Sequence, residues 1–161
     1  MGSAGMSRDA DDPETFWRDY EAQHGERVAA FTLGRYLSGW DELPEPLWGL
    51  LIATDGGFRF HHFAQESWFG GLSRGSSGKG AAKEHAFFIP KGWILQAELR
   101  RERSWIRRLL TGSQPTLAIR YAKPGFAEAL LLAETDLRAQ AVADALFSGT
   151  QFPATREPPA G

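Results

Sequence analysis

Leu47-Trp48-Gly49-Leu50-Leu51-Ile52-Ala53-Thr54-Asp55-Gly56-Gly57-Phe58-Arg59-Phe60-His61-His62-Phe63 is the stretch on which the fold turns. Two apolar runs flank Asp55-Gly56-Gly57, a hairpin signal because Gly tolerates the positive φ that tight turns use. The spacing predicts strands over 47–54 and 58–63. Successive side chains of a strand point to opposite faces. A two-residue turn therefore groups Leu47, Leu51, Ala53, Phe58, Phe60 and His62 on one face. Trp48, Leu50, Ile52, Arg59, His61 and Phe63 share the other. Both sets are rich in apolar residues, whereas a sheet with one wet face alternates apolar and polar. The second face thus predicts a cover: an N-terminal helix, the 101–114 segment, or a second subunit in a homodimer.

Upstream, Asp12, Pro13 and Gly25 carry the signals of a helix start and stop. Phe16, Trp17 and Tyr20 fall on one side of that short helix, either docked on the sheet or presented to a partner. Over 27–37, Ala29, Phe31, Leu33 and Leu37 share one parity, interrupted by Arg35, as in a strand. Pro44 and Pro46 make 38–46 a loop. Downstream, a Gly- and Ser-rich loop spans 64–82. Strands are expected at 85–89, 93–100, 116–121 and 126–133, with a basic, aromatic and helical stretch at 101–114. Thr135 is expected to cap a final helix through Phe147, with Leu137, Ala141, Val142, Ala145 and Leu146 on one side. Residues 1–11 are expected to be disordered and 150–161 to form a flexible, Pro-rich tail. One domain over 12–149 remains, mainly β with a C-terminal α-helix.

The 161 residues suit one domain. Six Trp and eleven Phe are generous for that length and point to a full core or an interaction surface. A net charge of −2 argues against nucleic acid. The absence of Cys removes disulfides, thiolate metal sites and Cys nucleophiles, and fits a cytoplasmic location. The longest near-apolar stretch, 47–53, is about a third of the ~20 residues a membrane-spanning helix needs.

Seven strands followed by one amphipathic helix is the element order of the pleckstrin-homology (PH) superfold. The stretch Gly49 to Phe60 is similar to that family's second hairpin, and Ala86-Phe87-Phe88-Ile89-Pro90 resembles the Ile-Pro pattern of GRAM-type and bacterial PH-like domains. The resemblance implies a seven-stranded open barrel of two near-orthogonal antiparallel sheets over 27–134, closed by a helix over 135–148. It also implies binding without catalysis. Lipid-binding members of the family place a basic cluster on the first strand pair and its loop. Here that loop carries Asp41, Glu42 and Glu45, with only Arg35 nearby, which repels an anionic headgroup.

The strongest candidate site is basic and aromatic: Arg100, Arg101, Arg103, Trp105, Arg107 and Arg108, interleaved with Ile106, Leu109 and Leu110. Such a segment can grip an acidic partner or lie on an anionic membrane surface. A candidate interface comprises Phe16, Trp17, Tyr20, Trp48, Leu50, Ile52 and Phe63. Ser77-Gly78-Lys79-Gly80 lacks the spacing of a phosphate-binding loop, which argues against nucleotide. His61 and His62 point to opposite faces and cannot easily share a metal. No cofactor, metal site or catalytic set is expected. The preferred expectation is a protein-interaction or scaffolding module, with a homodimer open. The alternative is peripheral binding to anionic lipid through Arg100 to Arg108.

Overall fold

The computed structural model describes residues 12–63 and 84–147. The expectations for 1–11, for the Gly-Ser stretch 64–82 and for 150–161 lie outside the described residues. Helix α1, Pro13–His24, starts where Asp12 accepts from the Glu14 amide and stops where Gly25 takes the left-handed conformation. Seven strands follow: β1 Val28–Ser38, β2 Leu47–Thr54, β3 Gly57–His62, β4 His85–Pro90, β5 Ile94–Arg100, β6 Thr116–Ala122 and β7 Glu128–Glu134. A short 3₁₀ turn, Lys91–Trp93, joins β4 to β5, and α2, Trp105–Thr111, lies between β5 and β6. Helix α3, Ala139–Phe147, closes the described chain.

All seven strands pair antiparallel in one sheet, in the order β4-β3-β2-β1-β7-β6-β5. The seven antiparallel strands of the expected barrel form one continuous sheet. The join is β1, long enough at 11 residues to pair with β2 and, near its end, with β7 across a bulge between Tyr36 and Ser38. The sheet also curls. Helix α3 packs on β2 and β1 and also on the edge strand β5, four strands from β2. Flat strands would set β4 and β6 ~24 Å apart, yet Phe87 on β4 and Tyr121 on β6 lie 4.8 and 5.9 Å from the same Trp40 ring.

The hairpin forms in the register expected of it. Ala53 faces Phe58, Ile52 faces Arg59 and Leu50 faces His61, so Asp55 and Gly56 make the two-residue turn. The positive φ falls at Gly57 rather than inside the turn. Thr54 Oγ1 accepts from the amides of both Gly56 and Gly57, at 3.2 Å each, and holds the turn from within.

Each face of the hairpin enters a different core. Leu51, Ala53, Phe58 and Phe60 join Tyr36, Ile89, Leu117, Ile119, Leu131 and Val142 inside the curled sheet. Leu50 and Ile52 pack with Tyr20, flanked by Phe16, Trp17, Val28, Leu33 and Phe63, in a second core under α1. Fully burying a side chain of this size contributes roughly 1.5–3 kcal/mol, so α1 is firmly docked.

Three expectations are corrected. On β1 the buried parity is Thr32, Gly34 and Tyr36; Ala29, Phe31 and Leu33 lie on the outer face, where Leu33 is partly covered by α1. On β5, where Leu95, Ala97 and Leu99 alternate with Gln96, Glu98 and Arg100 as one apolar face, a bulge between Ile94 and Gln96 turns Ile94 inward and leaves Leu95 outside, while Ala97 and Leu99 pack on the core. Thr135 does not cap α3, because its hydroxyl donates to the Leu33 carbonyl at 2.9 Å. The helix begins at Ala139 after a tight turn, and its buried face is Ala139, Val142, Ala143 and Leu146, with Leu137 and Ala141 outside.

Candidate functional site

Residue by residue, α2 is amphipathic. Successive helix residues are ~100° apart, which sets Trp105, Leu109, Ile106 and Leu110 in an arc of ~140° and Arg107, Thr111 and Arg108 opposite. In a folded domain such an apolar arc faces a core. Here all seven residues are exposed, with Trp105 at 65 %, Ile106 at 51 %, Leu109 at 75 % and Leu110 at 80 %.

The helix satisfies its own ends. Ser104 Oγ accepts from the Arg107 amide, and Gly112 takes the left-handed conformation and donates to Arg108 O. Thr111 Oγ1 donates to Arg107 O at 2.6 Å. Arg100 on β5 is held by Glu98 at 2.7 Å, and Glu102 accepts from the Ser104 amide at 3.3 Å. Arg101 and Arg103 are exposed beside them. The six candidate binding residues therefore lie on one excursion between the end of β5 and the start of β6.

The candidate interface is divided differently. Leu50, Ile52 and Tyr20 are buried, and Phe16, Trp17 and Phe63 pack against them. Trp17 also lies 4.1 Å from the Phe31 ring. Six of the seven residues thus cover one another within the chain. Trp48 stands outside this core, 59 % exposed.

A polar cluster under α1 escaped the sequence reading. Glu26 Oε1 and Oε2 each accept from Arg59 at 2.9 Å, and Oε2 also accepts from Thr54 Oγ1 at 2.7 Å. The Arg59 hydrogen bonds hold the Glu26 carboxyl below the usual carboxylate range, and the carboxylate raises Arg59 in turn. The Arg59 guanidinium also lies over the Phe88 ring at 4.2 Å. Next to this pair, His61 is buried, stacked on Phe63 at 3.9 Å, and donates Nε2–H to Glu84. Burial lowers the His61 pKa against the opposing pull of Glu84. Burial likewise pushes the Tyr20 hydroxyl up to about 12. The His24 ring lies tilted 4.2 Å from that of Tyr20 and donates Nδ1–H to the Tyr20 carbonyl.

A histidine–carboxylate pair can transfer protons only where substrate can reach it. The two best-formed concavities among the described residues lie elsewhere. One, of about 300 Å³, lies on the outer face of β5, β6 and β7, and the other, of about 610 Å³, lies between α1, β1 and α3. Neither is lined by Tyr20, His24, Glu26, Arg59, His61 or Glu84. The cluster anchors α1 to the sheet. Its one sequence signal was the polar trio Arg59, His61 and His62 in an apolar hairpin, and its partners lie 23 to 33 residues away.

The acidic β1–β2 loop keeps Asp41 and Glu42 exposed. Beside it lies Lys123, whose ammonium sits over the Trp40 ring at 4.1 Å. Trp40 also stacks on Phe87 at 4.8 Å, which closes this end of the curled sheet.

No protein-family model matches the chain, and neither a curated protein nor a solved structure matches it. The site is therefore read from its own chemistry. No helix among the described residues is long and apolar enough to cross a membrane, and no described group of three or more His, Asp or Glu residues could hold a metal.

Proposed function

We propose that this chain is a non-catalytic, PH-like docking module whose binding element is the excursion carrying Arg100, Arg101, Arg103, α2, Arg107 and Arg108. The PH-like part of the reading is supported by the strand order β4-β3-β2-β1-β7-β6-β5 and by the C-terminal helix packed against β1, β2 and β5. The acidic loop after β1 keeps the family's usual lipid pocket out of it.

One observation carries the docking reading. The other helices, α1 and α3, bury their apolar faces, whereas α2 keeps four large apolar side chains in water. Exposed apolar groups of this size, clustered and rimmed by charge, mark interaction sites. The aromatics of α1 carry less of the reading, because they pack against the chain's own sheet.

A photo-crosslinking side chain placed at Ile106 of the full-length protein, in the cells that express it, tests the reading. Crosslinks to protein or lipid are expected at Ile106 and not at Gln140 on the exposed side of α3. Equal labelling at the two positions, or none at either, overturns it.

A further inference from the structure

We propose that the surface α2 docks on is an anionic lipid bilayer, which rests on the docking reading above and names its partner. Residues 98–112 hold five arginines against Glu98, which pairs with Arg100, and Glu102, a net charge of +3 on a chain whose total is −2. The rest of the chain carries −5; three of its carboxylates, Asp41, Glu42 and Glu45, sit in the β1–β2 loop with Lys123 beside them, while Glu134 at the α2 end is paired with Arg35. The excursion lies at the start of β6. The acidic β1–β2 loop lies at the end of β6, where Tyr121 donates its hydroxyl proton to the Gly39 carbonyl at 2.6 Å. The seven residues of β6 separate these ends by ~20 Å, about two Debye lengths at physiological salt. A negative surface attracts the α2 end while Asp41, Glu42 and Glu45 face away from it, so the domain approaches in one orientation.

The shape of α2 favours a bilayer over a protein groove. A helix that docks in a groove uses anchors spaced over two turns or more. With seven residues, α2 is ~10 Å long and offers only the pairs Trp105–Leu109 and Ile106–Leu110. Four apolar side chains on a protruding helix can instead sink together into the headgroup–acyl boundary, roughly 5–10 Å deep. Trp105 is of the residue type that collects at that boundary. Arg107 and Arg108 then lie on the headgroup side of the helix, with Arg101 and Arg103 on its approach.

The test is sedimentation of the full-length protein with phosphatidylserine–phosphatidylcholine vesicles and with pure phosphatidylcholine vesicles at low salt. Binding to the mixed vesicles is expected to be at least roughly tenfold tighter and to weaken as salt is raised. Arg107→Glu/Arg108→Glu and Leu109→Ser/Leu110→Ser alter only exposed side chains. Each is expected to keep the thermal midpoint and to lose roughly tenfold or more of the vesicle binding. Equal binding to both vesicle types, or binding unchanged in both variants, overturns the bilayer inference. If vesicles fail while Ile106 still crosslinks to protein, the docking reading stands and the bilayer inference falls. If Ile106 crosslinks to nothing, both fall.

Discussion

Arg59 on β3 and Glu26, in the short link between α1 and β1, form a two-pronged ion pair with both hydrogen bonds at 2.9 Å. Only 18 and 15 % of the two side chains remain exposed. The pair fixes the foot of α1 to the hairpin, since Glu26 also takes the hydroxyl proton of Thr54 beside the turn. Glu26→Gln leaves the guanidinium without its counter-charge, and a loss of about 1–3 kcal/mol is expected. Urea denaturation checks this, and a double-mutant cycle with Arg59→Met isolates the coupling. Because the Glu26 carboxyl is lowered from 4.5, its contribution is full above that pH and fades as pH falls through the lowered value. A wild-type acid limb no steeper than that of the Gln variant would count against the pair.

His61 acts in a different pH window. Its pKa lies below the ordinary 6.5, so the folded chain favours the neutral ring. The groups facing it are Tyr20 and His24 from α1, Arg59 from β3 and Glu84 before β4. Its contribution is complete above 6.5 and is lost as pH falls through the lowered value. Thermal midpoints between about pH 7.5 and pH 5 should decline in the wild type and decline less in His61→Phe. Parallel slopes for the two proteins would remove His61 as the cause.

Tyr36 is a buried hydrogen-bond hub. Its hydroxyl accepts from the Trp40 amide at 2.8 Å and donates towards the Leu43 and Trp40 carbonyls at 2.9 and 3.1 Å. Tyr36→Phe keeps the ring but strands the Trp40 amide and the Leu43 carbonyl, while the Trp40 carbonyl keeps the Leu43 amide, at an expected cost of about 1–3 kcal/mol. The variant's urea midpoint gives the answer, and an unchanged midpoint would mean that water replaces the hydroxyl.

Gly57 has no room for a side chain. It holds a φ of 149°, and a Cβ there would lie 2.1 Å from the Ile89 carbonyl oxygen. Gly57→Ala is expected to cost about 2 kcal/mol or more by forcing β3 away from β4. Gly92, where a Cβ meets nothing within 4 Å, supplies the contrast: Gly92→Ala is expected to stay within about 0.5 kcal/mol. Calorimetry on both variants checks the pair, and similar midpoints would show that the hairpin can open at this point without cost.

Local chemistry wrote much of this fold into the sequence. Asp12, Pro13 and Gly25 mark α1 because helix ends need particular side chains and backbone angles wherever they occur. The hairpin register followed from a two-residue turn and the alternation of strand side chains, and it assigned the hairpin's two faces to two cores. The apolar second face even implied a cover, and α1 supplies it. Where the reading failed, a long-range contact had replaced a local one. Thr135 has the chemistry of a cap, yet it bonds to Leu33, about 100 residues away. The bulge on β5 turns Ile94 inward, which periodicity cannot foresee because one unpaired residue inverts the pattern.

The sequence by itself determined the elements, the helix limits of α1, the hairpin register and the composition of the Arg-rich excursion. These depend on residues within one or two turns of each other. The tertiary structure alone decided that the strands close into one curled sheet and that Glu26 meets Arg59 across 33 residues. It also decided that the aromatics of α1 are spent on the second core while Trp105, Ile106, Leu109 and Leu110 of α2 stay in water. Amphipathicity fixes that a helix has an apolar face, but what covers that face depends on which surfaces the chain brings together. Hence two helices with apolar faces came to opposite ends: α1 became part of the core, and α2 became the candidate site.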